Sequence, residues 1–552
     1  MSGGKDEAPR DLFPTATTSC STPSESHELL DYFSHVSSMA NAVARPSERY
    51  LVPTTTVTSG PPPVANQLFG QLCDSLGMRT QIQTSPGSVH VPPTAAPATA
   101  PSEDDDLLSQ MKRISSKSNS VPGSSDRLMT KAKTRRIGVP FAAISRKTDF
   151  LLAAFFSSIH VLLTTIVYHY VPEPYMDEIF HICQTRAYCD GNYTWNPLIT
   201  TPPALYIVSM PLCGYERYIN SILIFFAIPA FCRFRRMFLR ENVWLTVSIV
   251  AALPILLTSS LLFYTDLLSL AAVLWAFSIA NPLISAGFFL LSICTRQTNI
   301  IWAACYAFSV LASRIDGSRG KVENLKLLIL SAFSLWPFIG LAAGFLGFLY
   351  WNNYQIVLGD AKAHKPKFHV AQLFYAIAFS AAHSWPQMLP GLLTLLGSLT
   401  EPRALLLQAT VAILVYNFSY DHPYLLADNR HFTFYIWKRF LALPSLRCSF
   451  SPLYVLSATF LNKATWHIHV FHKILFAVGC FFTLVPAHLF EMRYYIIPYV
   501  IWRLSATIHR HKSLLLMELA SQIAIFSVVF YLFLFRSFEW PNEPGVRQRF
   551  MF

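Results

Sequence analysis

The chain has 552 residues, of which 53% are hydrophobic and 13% charged, and its mean hydropathy is +0.37. Soluble domains carry about 25% charged residues, so the composition sets aside a soluble enzyme and points to a polytopic membrane protein in the lipid bilayer. The formal net charge of +12 falls in tail and loop clusters without a zinc-finger or RNA-binding signature, so no nucleic-acid partner is expected.

Residues 1–147 are rich in Ser, Thr and Pro, as in SCSTPSES, SGPPPVAN and VPPTAAPATAPSEDDD. Such a segment buries too little apolar surface to offset chain entropy, and a disordered cytoplasmic tail is expected. It lacks a basic region followed by an apolar one at its start, so no cleaved signal peptide is expected. It ends in a basic cluster, Lys131, Lys133, Arg135, Arg136, Arg146 and Lys147, which should stay cytoplasmic.

The transmembrane domain is expected over 148–552. Its first span, Phe150 to Val171, delivers the segment Glu173 to Pro203 to the opposite side, taken as a lumen. Alternating sides along the chain then puts the basic loop at Arg233, Arg235, Arg236 and Arg240 in the cytoplasm. Tyr264 to Asp266 and Thr295 to Asn299 fall in the lumen, and SRIDGSRGKVENLK returns to the cytoplasm. Gly359 to His369 and Asp421 to His431 come out luminal. Expected spans include Trp244–Phe263, Leu327–Tyr350, Leu373–Leu396, Leu405–Tyr416, Phe471–Leu489, Tyr494–Ile508 and Leu514–Phe535. The fold class is an all-α polytopic membrane protein of roughly 12 to 14 spans. The unusual polar loops share one side, as one composite site requires.

Asp177, Glu178 and His181 lie within about one helical turn. Adjacent helical residues point about 100° apart, so one carboxylate acts and the other orients or caps. A carboxylate beside a span suits a general base acting on a hydroxyl; the plainer reading is a helix start favoured by the dipole. In Gly359 to His369, Lys362, His364 and His369 contribute to a cationic patch suited to phosphate, or to an ordinary solvated loop. In Asp421 to His431, the residues Asp421, His422, Asp428, Arg430 and His431 adjoin Phe434, Tyr435 and Trp437. Arg430 has the fork to clamp phosphate, and the aromatics fit either a sugar slot or an interfacial belt. Arg296 and Arg493 at span ends complete the candidates; Glu491 and Arg493 also read as a structural ion pair. The ten cysteines form no CxxC pair, so no metal cluster is expected. Cys183 and Cys189 flank one short segment and either pair in an oxidising lumen or remain thiols.

The ordered series YMDEIFHICQ, ITTPPALY, FYTD, TRQTNIIW, GDAKAHK, HPYLLADNRHFTFYIWKR, FEMRYYIIP and EWPNEPGVRQRFM resembles the endoplasmic-reticulum α-1,2-glucosyltransferase family. Its members use dolichyl-phosphate-glucose to add the last glucose to lipid-linked oligosaccharide for N-glycosylation. The likeness covers about Asp149 to Phe552 and leaves the tail aside. It implies a GT-C architecture with a luminal site in the endoplasmic-reticulum membrane, a dolichyl-phosphate-glucose donor and a diglucosylated dolichyl-diphosphate oligosaccharide acceptor. It also implies inversion by a single displacement. Asp177 is then the expected base, with Glu178 beside it, and Arg430 with Lys362, His364 or His431 is expected at the phosphate. No cofactor and no obligatory metal are expected, because a lipid phosphate leaves without a nucleotide-bound ion. A transporter or channel-associated protein is the competing class, and it calls for midplane charges and internal repeats.

Overall fold

The computed structural model describes residues 146–552 other than 316–319, 362, 508–510 and 542. The expected tail, bar Arg146 and Lys147, and the candidate Lys362 lie outside the described residues.

Helices dominate. Among the described residues two are long and apolar enough to cross a bilayer, Lys147–Tyr170 and Lys512–Phe535. Their outward faces are apolar, with Leu151, Phe155, Leu162, Leu516 and Val528 all exposed. Lipid solvates such faces, so they are compatible with a polytopic membrane protein.

Other apolar runs do not form the expected straight spans. Trp244–Phe263 breaks into Val243–Ala251 and Pro254–Leu261, bent by 57°. Leu327–Tyr350 breaks at Leu335, between Lys321–Ser334 and Trp336–Trp351, by 59°. The run before Glu401 and the helix Pro402–Asn417 meet at 82°. Proline is the local cause: it lacks an amide donor and pushes its predecessor out of the helical region. Leu253 (ψ 119°) and Glu401 (ψ 140°) are both extended before their prolines. Asp266–Ser278, Pro282–Ile293, Ala371–Ala382 and Val470–Leu484 are apolar but shorter than a full span. Among the described residues, at most five spans satisfy length and composition, even with each bent pair counted as one. The expectation of roughly 12 to 14 spans came from counting apolar runs, which says nothing of where a helix bends.

Between apolar helices in lipid, burial supplies little attraction, so packing and hydrogen bonds hold them together. His160, in the first helix, bonds Ser221 (2.8 Å) and Ser260 (3.0 Å). The Lys512–Phe535 helix carries Glu518, which takes both Nε and Nη2 of Arg503 at 2.7 Å and Gln387 at 3.0 Å. Its Gln522 bonds His383. At the other end of the first helix, Asp149 accepts from Arg236 (2.6 Å) and Trp244 (3.1 Å).

One element departs from the all-α expectation. Strands β1 (Ser537–Trp540) and β2 (Glu543–Arg549) pair antiparallel, with Ser537 opposite Arg549 and an irregularity after Glu539. No alternating apolar pattern marks them, because the hairpin is held by what it caps. Arg549 donates to the carbonyls of Phe533 (2.9 Å), Leu534 (2.7 Å) and Tyr170 (3.1 Å). One guanidinium thus closes the C-terminal ends of both long helices, where the helix dipole favours a cation. Beyond β2, Met551 exchanges backbone hydrogen bonds with the Arg430–Phe432 segment. The polar segments at these helix ends converge here.

Candidate active site

Asp177 ends a short, shaped lead-in. Met176 before it sits at φ +58°, a left-handed conformation that unbranched L-residues adopt at some strain. Helix Glu178–Cys189 then begins, buttressed by an Arg186–Glu216 pair at 2.8 Å and a Cys189–Cys213 disulfide. Cys189 therefore joins Cys213 and not Cys183; the partner lies 24 residues on, beyond the segment that suggested a pair.

The adjacent carboxylates have opposite fates. Glu178 is fully buried; it receives Arg217 Nε and Nη2 at 2.7 Å each and the amides of Tyr175 (3.0 Å) and Phe263 (2.9 Å). Both its oxygens are occupied, which removes it from the reacting pair and makes it the anchor of the lead-in. Asp177 keeps half its side chain exposed. Its Oδ2 meets Arg493 Nη2 at 3.0 Å, and Arg493 also bonds Glu491 Oε1 at 3.2 Å. Burial by surrounding protein opposes its ionisation, but the charge and hydrogen bond of Arg493 outweigh this and hold its carboxyl below the usual range. Asp177 is an exposed, ionised carboxylate.

Around it stand groups from several separate segments. His181 bonds Tyr206 OH at 2.8 Å, and burial depresses its pKa to about 4, so it is neutral. Arg296 pairs with Asp266 at 2.9 Å and donates to Thr265 Oγ1 at 2.9 Å. Arg493 stacks over Tyr264 at 4.7 Å. His364 and His431 lie within electrostatic reach of Asp177. Burial lowers the pKa of His364, but the hydrogen bonds and charge of Asp360 outweigh it and leave the imidazole above its ordinary value. Gly359 lets this loop approach: a Cβ there would stand 2.2 Å from the Pro197 carbonyl oxygen.

Several candidates are engaged by other groups of the protein. His369 is fully buried between the His488 carbonyl and the Tyr420 amide. His422 caps Pro423–Ala427 through the Tyr424 amide at 3.1 Å and reaches the Ala363 carbonyl at 3.1 Å. Burial brings both imidazoles to about 4, so neither offers charge to a phosphate. Arg430, expected as the phosphate clamp, grips Asp428 through Nε (2.9 Å) and Nη2 (2.7 Å) and gives Nη1 to Gln548 (3.0 Å). Its guanidinium lies over Trp540 (4.7 Å) and Tyr175 (5.9 Å). Arg430 and Asp428, both expected at the substrate, therefore join three segments through these contacts. His431 gives Nδ1 to the Phe552 carbonyl at 2.8 Å. Asp421 and Trp437 line a cavity of about 440 Å³ with Lys438 and Arg447.

Sequence reasoning missed Asp266, Asp360, Tyr206 and Arg217. Asp266 stands in the quoted FYTD string and opens the helix Asp266–Ser278. No local signal marks Arg217, whose partner lies 39 residues away.

The pattern of the DIE2/ALG10 family matches residues 171–504. A human protein named Dol-P-Glc:Glc(2)Man(9)GlcNAc(2)-PP-Dol alpha-1,2-glucosyltransferase is 31% identical over 447 residues, 69% of this chain and 93% of its own length. A Debaryomyces hansenii protein of that name is 31% identical over 464 residues, 71% of this chain and 98% of its own. One from Arabidopsis thaliana is 30% identical over 514 residues, with 73% and 99% covered. No solved structure matches.

Proposed function

The chain belongs to the DIE2/ALG10 family, and from that premise we propose that it transfers glucose from dolichyl-phosphate-glucose to Glc2Man9GlcNAc2-diphosphodolichol. The product is an α-1,2 linkage, and this is the last glucose added before the oligosaccharide is used in N-glycosylation. The transporter alternative has no support in the relatives, which are named as glucosyltransferases.

The observation that carries the chemistry is the exposed, ionised Asp177, one oxygen on Arg493 and the other free of protein donors among the described residues. A β-linked donor and an α product call for one displacement with inversion. As the acceptor oxygen attacks the anomeric carbon, its proton passes to Asp177. The bond from that carbon to the phosphate oxygen breaks, and the electron pair leaves on dolichyl phosphate. A low-pKa carboxylate is a weak base in the ground state; it takes the proton as the hydroxyl becomes acidic in the transition state. Arg493 fixes its orientation, and Arg296 and His364 add positive potential for the developing phosphate charge.

We place the catalytic domain at 148–552, in a GT-C arrangement within the endoplasmic-reticulum membrane, with the Asp177 cluster facing the lumen. The Cys189–Cys213 disulfide supports that side, since disulfides persist in oxidising compartments. Purified full-length chain given radiolabelled dolichyl-phosphate-glucose and diglucosylated acceptor should yield triglucosylated lipid. No transfer under conditions in which the human relative works would overturn the reading.

A further inference from the structure

The proposed reaction needs a cation where the donor phosphate departs, and Arg430 is already engaged by Asp428. Several cations make no ion pair among the described residues, and two of these, Lys438 and Arg447, come together. Both line a cavity of about 440 Å³.

The cavity has a specific construction. Trp437–Leu441 is a π-helical turn, closed by the Ala442 amide on the Trp437 carbonyl at 2.8 Å. Such turns cost helix regularity and occur often at functional sites. This one buries Trp437 while Lys438 stays exposed, its ammonium 5.3 Å from the Phe434 ring. Arg447, also in the lining, gives Nη2 to the Tyr416 carbonyl at 3.2 Å, and its Nε, shielded from solvent, has no acceptor among the described residues. A shielded, unpartnered guanidinium N–H is costly unless an acceptor arrives. Phe440, Leu443 and Leu453 nearby are exposed and apolar, as a lipid-facing rim requires.

We propose that this cavity seats the phosphate of the donor polyprenyl lipid, held by Lys438 and Arg447, with the prenyl chain leaving over the apolar rim. The inference rests on the glucosyl transfer proposed above. The volume lies within the ordinary range of about 300–1,000 Å³ for small-ligand sites: it takes a glucosyl phosphate, not a whole polyprenol. Asp421, also in the lining, would repel an anion placed against it, so the phosphate belongs at the Lys438–Arg447 wall and Asp421 is left to accept from glucose hydroxyls.

The position distinguishes donor from acceptor. Trp437 packs against Phe490 at 6.5 Å, and Phe490 leads directly into Glu491 and Arg493, the partner of Asp177. One short strip therefore backs both the cavity and the base. In the donor the phosphate is bonded to the reacting carbon. In the acceptor an entire oligosaccharide separates the diphosphate from the reacting hydroxyl. When the glycosidic bond breaks, the charge gathering on the leaving oxygen meets the two cations.

The test uses full-length chain in proteoliposomes and a photoactivatable polyprenyl phosphate that carries no glucose. Labelling should map to residues 434–447, be competed by dolichyl phosphate, and fall about tenfold or more in Lys438→Ala with Arg447→Gln, as loss of two charge-assisted contacts requires. In parallel, the KM for dolichyl-phosphate-glucose should rise by a similar factor with the acceptor KM unchanged. Lys438→Arg with Arg447→Lys should recover most labelling, which separates charge from folding. Label elsewhere, an unchanged donor KM in the double variant, or a shift confined to acceptor KM would each overturn the site. Wild-type labelling at 434–447 without glucose transfer would retain the site and refute the reaction.

Discussion

Asp177 and Glu178 make a matched pair of experiments because they differ in environment and hardly at all in chemistry. Asp177→Asn keeps the shape and loses the base, so transfer should fall by about 10²–10⁴-fold. Thermal stability should be nearly unchanged, since the side chain is half exposed. Glu178→Gln leaves Arg217 buried without its counter-ion, a loss of about 3–5 kcal/mol, and should appear as poor expression and a lowered melting temperature. If the Glu178 variant folds well while transfer disappears, the two roles are exchanged. Asp177 was legible because an acid beside an apolar run needs water, a partner or a substrate to meet it. Which neighbour acts was not, because Arg217 and Arg493 lie far away in sequence.

His364 sets a pH limit at the same scale. Its folded pKa is raised by Asp360, so the pair's stabilisation is fully present below the unfolded value of about 6.5 and is lost as pH rises through the folded value. Donor use should therefore decline on the alkaline side of that value, and His364→Gln should remove that limb and lower the plateau. Asp177 acts oppositely: its carboxyl is depressed, so it stays ionised until the pH falls through a value below about 3.9. The neutral-range profile then belongs to His364, and a wild-type profile in His364→Gln would take it out of the site.

Among the elements, the hairpin of β1 and β2 explains why the strings HPYLLADNRHF and EWPNEPG both stand out in the sequence: they bind each other. Trp540 Nε1 donates to Asn429 Oδ1 at 2.8 Å, Arg430 lies over the Trp540 ring, and Tyr175 OH bonds both the amide and the carbonyl of Arg549 at 2.8 Å. Arg430, expected at the phosphate, holds Asp428, Gln548 and the Trp540 ring. Asp428 is only two residues away, but Gln548 and Trp540 are more than a hundred, and no local pattern announces them. Trp540→Ala removes a hydrogen bond and a cation–π contact, together about 1–3 kcal/mol. Amides 428–432 should exchange faster with deuterium, and donor and acceptor KM should move together, as for a brace acting on the whole loop. A selective rise in donor KM would restore Arg430 to the phosphate. The same contrast holds among helices: hydropathy located the apolar runs, while bends of 57° to 82° at proline-marked breaks follow from backbone chemistry that hydropathy does not record.

For the whole molecule the open variable is orientation, and an asparagine reads it. The first and last long helices both end at Arg549, so both deliver chain to the site end, and the C-terminus lies there too. Two N-glycosylation acceptor motifs occur, Asn192-Tyr193-Thr194 and Asn417-Phe418-Ser419. Asn192 and Thr194 are exposed, on a loop held to the Asp177-bearing helix by Gln184. In the other motif Ser419 is buried, with its hydroxyl on Tyr375 OH at 2.6 Å, out of reach of a transferase. If the site faces the lumen, Asn192 alone should carry a glycan. Peptide N-glycosidase should then remove a single mobility step, absent in Asn192→Gln and retained in Asn417→Gln. A glycan on an acceptor tag fused before Met1, with none at Asn192, would invert the molecule and place Asp177 on the cytoplasmic side, away from the oxidising compartment that the Cys189–Cys213 bond calls for.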